Sequence, residues 1–131
     1  MAPLTTLQLE ALKHTLDKQR GKRLRAAHET LQRVRQGHYA VLAGEGPDVV
    51  DVANAEELAG MENTLAQRDA EAVRDIDAAL ARIEEHRFGY CLDCGEDIGF
   101  RRLSAQPTAT RCVRCQEQHD RLYRRTALPT L

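Results

Sequence analysis

Apolar residues recur along the first third of the chain at steps of three and four. Leu24, Ala27, Leu31, Val34, His38 and Val41 form one such stripe, with the spacing of a coiled-coil seam. Leu9, Leu12 and Leu16 form a second stripe upstream, in a different register. Gly21 lies between the two and predicts a bend, because glycine weakens a helix interior. The pattern as a whole predicts a helix over residues 5–42. The AGEGP stretch at residues 43–47 then places two glycines and a proline within five residues, which reads as a turn.

A second helix is predicted from this turn to about residue 86. Asp48 or Asp51 can cap its start by accepting a backbone N–H bond, and Glu56 and Glu57 sit where the helix dipole favours negative charge. Its apolar stripe is Leu58, Met61, Leu65, Ala72, Ile76, Leu80 and Ile83, interrupted at Arg68 and Asp69. Two long helices joined by a short turn predict an antiparallel hairpin with arms of roughly 50 Å, from 1.5 Å of rise per residue. The alternative is pairing between molecules; the turn favours the hairpin, and a self-paired hairpin predicts a monomer.

Composition sharpens this picture. Aromatic residues are only 4% of the 131, and there is no Trp, so a large core is not expected. Phe88, Tyr90, Phe100 and Tyr123 all fall beyond the arms, which puts the compact core around the cysteines there. Residues 93–110, with Gly95, Gly99 and Pro107, predict short strands and turns, and residues 114–125 predict a last helix. The expected fold is mainly α: a long antiparallel coiled-coil hairpin over residues 1–86, with its tip at about 43–53, followed by a small C-terminal four-cysteine module with a terminal helix over residues 87–131.

The net charge of -1 gives no bulk attraction to nucleic acid. The charge is unevenly placed, however. Residues 1–43 hold eight Lys/Arg against three Asp/Glu, and residues 44–86 hold three against twelve. A basic stretch followed by an acidic one suits two helices side by side. No signal-peptide pattern and no apolar run of membrane-spanning length is present, which predicts a cytoplasmic protein with no membrane partner. Thiols stay reduced in that compartment, so paired cysteines point to metal or redox chemistry.

The cysteines supply the candidate chemistry. Cys91 and Cys94 are separated by two residues, as are Cys112 and Cys115, with seventeen residues between the pairs. A two-residue gap lets both thiolates of a pair face one tetrahedral ion, and Gly95 permits the tight turn that aims N–H groups at sulfur. Four thiolates close the coordination shell, so the expected cofactor is one structural Zn2+ with no catalytic role. A redox dithiol, disulfides and an iron–sulfur cluster are the rivals; the first lacks its βαβ setting, and spacing alone leaves the cluster open. No nucleophile–base pair, phosphate loop or open metal site suggests an enzyme.

The stretch FGYCLDCGEDIGFRRLSAQPTATRCVRCQ (residues 88–116) resembles the zinc-finger signature of the DksA/TraR family of bacterial transcription regulators. The likeness includes the FGYC flank and the I-G-x-R-R-L and A-x-P-T-A segments. Upstream, DVVDVA (residues 48–53) is similar to the D-x-x-D-x-A tip motif of the DksA branch, at the same distance from Cys91. The resemblance implies a non-enzymatic regulator that binds RNA polymerase rather than promoter DNA. In such proteins the hairpin enters the secondary channel of the polymerase and alters promoter-complex stability at initiation. Asp48, Asp51 and Ala53 would then be the residues near the polymerase active site, where two carboxylates can perturb metal and nucleic-acid contacts. On the rival reading both aspartates simply cap the second helix.

The resemblance also implies a contact to the alarmone ppGpp, and Arg68 fits one such position. Glu45, Asp75 and Gln116 fall where the DksA branch has an Asn and two Lys. Loss of those cations weakens polyphosphate binding, so weak or absent ppGpp dependence is expected. Two alternatives share the zinc signature. One is a zinc-stapled adaptor for another partner. The other is a DNA-binding finger using Arg101, Arg102, Arg111 and Arg114.

Overall fold

The computed structural model describes the backbone of residues 2–42 and 49–127, and the side chains of residues 2–37, 56–57 and 60–124. Four helices form in order: α1 (Thr6–Leu42), α2 (Val49–Glu84), α3 (Phe100–Ala105) and α4 (Val113–Ala127). The fold is mainly α. Its dominant feature is the long hairpin of α1, with 37 residues, and α2, with 36. The AGEGP turn and Asp48 lie outside the described residues, as do the side chains of His38, Val41 and Leu58. Among the described residues no helix is long and apolar enough to cross a membrane.

α1 starts with a reciprocal cap. The Gln8 amide N–H donates to Thr5 Oγ1 at 3.2 Å, and the Thr5 N–H donates to Gln8 Oε1 at 3.0 Å. Two donors that the first turn would otherwise orphan are thereby satisfied. Leu4 and Leu9, on either side of this cap, both pack on the core in the manner of a hydrophobic staple. The helix then runs through Gly21 without a break.

α2 ends in a Schellman motif. The Arg87 N–H donates to the Arg82 carbonyl at 2.8 Å, and the His86 N–H to the Ile83 carbonyl at 3.1 Å. The motif needs a left-handed residue, and His86 supplies it at φ 58°, where glycine is the usual occupant.

The chain divides into two compact units, one of Met1–Asp17 with Ile76–Leu131 and one of Lys18–Asp75. In the first, Leu12 and Leu16 of α1 and Ile76, Ala79 and Ile83 of α2 share a buried cluster with Phe88, Cys91, Ile98, Leu103, Ala109 and Cys115. Lys13 and Glu84 pair across the same helices at 3.6 Å. Gly89 allows this packing at φ 92°, since a Cβ there would stand 3.0 Å from Leu4 Cδ1.

In the second unit, α1 and α2 run antiparallel, with Arg23 pairing Asp69 at 2.9 Å and Arg33 pairing Glu62 at 3.6 Å. The seam here departs from the expected one. Thr30, Ala66 and Val73 are buried, whereas Leu24, Leu31, Met61 and Leu65 are exposed. The Thr30 hydroxyl accepts from Arg33 Nη2 at 3.2 Å, which lets a polar group occupy a buried position.

The residues 93–110 also differ from expectation. The only β pairing among the described residues is one isolated antiparallel bridge, Tyr90 with Asp97, and α3 occupies residues expected to be strand or turn. Gly89, Gly95 and Gly99 all take positive φ, which ends any extension before a ladder can grow.

Candidate metal centre

The two cysteine pairs are brought together by three short local structures. The Gly95 N–H donates to the Cys91 carbonyl at 2.9 Å, closing a tight turn around the first pair at a glycine of φ 75°. The Cys91 N–H in turn donates to the Glu96 carbonyl at 2.8 Å. The second pair sits at the start of α4, where the Gln116 N–H donates to the Cys112 carbonyl at 2.9 Å and the Cys115 N–H points at Cys112 Sγ at 3.5 Å. Leu92 N–H donates to the Thr110 carbonyl at 2.9 Å, fastening one pair beside the other.

Side chains reinforce that fastening. Arg111 Nε donates to Asp93 Oδ2 at 2.9 Å, and Arg102 Nε on α3 donates to the Arg111 carbonyl, also at 2.9 Å. Arg114 and Glu96 add a 3.8 Å ion pair at the surface.

The four Sγ atoms lie within 4.8 Å of one another, with Cys94 and Cys112 sulfurs 3.9 Å apart. Four sulfurs about 2.3 Å from one tetrahedral zinc are separated by roughly 3.8 Å, so the set fits a single ion. Cys91 and Cys115 are buried, Cys112 is half-buried and Cys94 is exposed, and all four are free thiols.

Their acidities point the same way. Burial alone would raise the Cys91 thiol, but backbone N–H groups of Cys94, Cys112 and Asp93 overcome it and bring it down to about 6. The Cys112 thiol beside it, together with burial, pushes Cys115 up to about 12. Four such groups cannot all ionise without a cation among them, and a divalent metal supplies that charge.

The sequence-predicted tip residues are placed only in part. Asp51 and Ala53 belong to the first turns of α2, and their side chains lie outside the described residues, as do Asp48 and Glu45 entirely. Arg68 is exposed on α2, and Asp75 is exposed farther along the same helix. Gln116 donates from Nε2 to Asp120 Oδ1 at 2.9 Å. The bracing set of Asp93, Arg102 and Arg111 was not legible as such, since nothing in linear spacing marks an Arg whose partner lies eighteen residues away.

A mainly helical hairpin carrying a four-thiolate knuckle is the architecture of a C4 zinc-finger protein. The match to known proteins is specific: residues 86–121 fit the prokaryotic dksA/traR C4-type zinc finger. The RNA polymerase-binding transcription factor DksA of Caulobacter vibrioides is 37% identical over 117 residues, covering 87% of this chain and 77% of that protein. The protein of the same name from Escherichia coli K12 is 40% identical over 74 residues, 56% of this chain and 49% of that one. The solved structure of transcription factor DksA2 from Pseudomonas aeruginosa superposes with a TM-score of 0.79 at 28% identity, over 91% of this chain and 88% of that one. The chain belongs to the DksA/TraR family, and its four cysteines are positioned to bind one zinc ion.

Proposed function

We propose that this protein is a transcription factor that binds RNA polymerase, enters its secondary channel with the α1–α2 hairpin and alters promoter-complex stability at initiation. The observation that carries the reading is likeness over most of the chain to a factor named for RNA polymerase binding. The hairpin supports it, because paired helices of 37 and 36 residues are thin enough for a pore. On this reading the zinc knuckle, which shares one buried cluster with the nearby parts of both arms, fixes their base. Asp48, Asp51 and Ala53 act at the tip, the two carboxylates disturbing metal and nucleic-acid contacts of the polymerase.

Dependence on ppGpp is weak or absent on the same reading. Arg68 is available as a cation, but Asp75 is an exposed anion and Gln116 is engaged with Asp120. The DNA-binding reading is weaker, since Arg102 and Arg111 brace the knuckle and Arg114 pairs with Glu96. In vitro transcription from a ribosomal promoter tests the proposal, comparing wild type with Asp51→Asn. Wild type is expected to bind polymerase and shift transcript yield, and the variant to bind without shifting it. A wild type that neither binds nor changes yield refutes it.

A further inference from the structure

In the second unit polar and small apolar residues share the seam, and the larger apolar side chains point away from it. Taking Ala27, Thr30 and Val34 of α1 as the a, d and a positions of a heptad puts Arg23 at d. Taking Glu62, Ala66, Asp69 and Val73 of α2 as d, a, d and a gives the matching row. Burial follows this register: Thr30, Ala66 and Val73 are buried, and the Asp69 side chain is only 13% exposed. The large apolar side chains stand outside the seam, with Leu24 43%, Leu31 50%, Met61 61% and Leu65 52% exposed. Single exposed leucines are ordinary on protein surfaces. A hairpin that fills its interhelical seam with Asp, Glu, Arg, Thr, Ala and Val while turning four larger apolar side chains outward is not.

Their placement has a definite geometry. Leu24 and Leu31 are each one residue after a seam position on α1. Met61 and Leu65 are each one residue before a seam position on α2. In an antiparallel pair, steps of the same sense share a flank, because reversing the chain direction reverses the apparent turn of the helix. Steps of opposite sense therefore lie on opposite flanks. The hairpin carries one apolar pair on each side.

We propose that this segment is gripped on both flanks at once by a protein concavity, Leu24 and Leu31 meeting one wall and Met61 and Leu65 the other. The inference rests on the polymerase reading above, and it identifies the surface by which the hairpin would be held in the channel. A second copy of the chain is a poorer occupant. Two half-exposed apolar side chains offer on the order of 200 Å2 per flank, against about 800 Å2 per partner in a stable interface. Self-pairing through opposite flanks would also be open-ended rather than closed. An enclosing wall uses both flanks together.

The test uses the full chain with purified core RNA polymerase. Two double variants, L24A/L31A and M61A/L65A, keep helix propensity and truncate one flank each. Each is expected to weaken polymerase binding by about tenfold with helicity unchanged. A photo-cross-linking residue placed at Leu31, and separately at Leu65, is expected to attach to polymerase from both positions. Wild-type affinity in both double variants, or cross-links from one flank alone, overturns the two-sided grip while leaving polymerase binding standing. Cross-links between copies of the chain overturn the choice of occupant. A wild type that fails to bind polymerase overturns the functional reading and this proposal together. Should a double variant lose helicity, the cross-linking positions decide.

Discussion

Arg111 donates to Asp93 at 2.9 Å, and in doing so joins the loop of the first cysteine pair to the segment leading into the second. The contact lies between the ligand pairs, so it governs how readily the four sulfurs converge. Asp93→Ala is expected to hasten zinc loss by about 10-fold, the usual scale for groups that orient ligands. Release to a chromogenic chelator measures it, and an unchanged rate would remove the brace from the account.

Zinc affinity should fall as the solution is acidified. Metal binding requires thiolates, whereas in the free protein Cys115 is held up at about 12 and Cys91 down at about 6. Protons therefore compete across the neutral range, and below about pH 6 even Cys91 takes one up. Competitive zinc titrations should show the dissociation constant rising at least about tenfold per pH unit on acidification. A constant independent of pH would contradict four-thiolate binding.

The left-handed residue that closes α2 invites a stabilising change. His86→Gly relieves a conformation that costs a side chain about 1 kcal/mol, and should raise the unfolding free energy by about 0.5–1 kcal/mol. Gly89→Ala should do the reverse, by about 1–3 kcal/mol, because its φ is 92° and Leu4 stands against it. Denaturant melts of the zinc-loaded protein compare the two.

Gly60 lies within α2 with nothing within 4 Å of an added Cβ. Gly60→Ala is expected to stabilise the hairpin by about 0.5–1 kcal/mol, through the entropy of the unfolded chain and helix propensity. A loss of stability would mean that the surface there is not open.

The Arg23–Asp69 pair offers a check on the polar seam. Asp69→Ala should destabilise by about 1 kcal/mol, since it strips a partner from a largely covered position. A double-mutant cycle with Arg23→Ala should return a coupling of about 0.5–1 kcal/mol, and additive effects would show that the pair does not hold the arms.

Much of this was legible in the chain. The ends of α1 and α2 follow from the Gly/Pro break and the apolar periodicity, and the metal centre from two cysteine pairs. What periodicity did not settle was which of two adjacent stripes faces inward. Leu31 outranks Thr30 on any hydrophobic scale, yet Thr30 is buried because Arg33 satisfies its hydroxyl and Asp69 meets Arg23 across the seam. The second of these pairings joins residues 46 apart in sequence. α3 escaped for a different reason. It has six residues, its N-cap is Gly99 at φ 97°, and no side chain caps it, so the usual start signal is missing. The tip motif was read from resemblance alone, and its aspartates remain the part of the proposal that transcription assays must test.

The unit holding the metal is assembled from two segments far apart in sequence, and this bears on its synthesis. Leu16 belongs to the same buried cluster as Ile76, sixty residues later, and as Cys115 near the end. At about 5–20 residues per second, a ribosome leaves the apolar face of the first helix without that cluster for several seconds. The last thiolate emerges later still. Metal loading and closure of this core therefore wait until Cys115 has been made, and a nascent chain stalled before Cys112 would display bare leucines to chaperones and proteases.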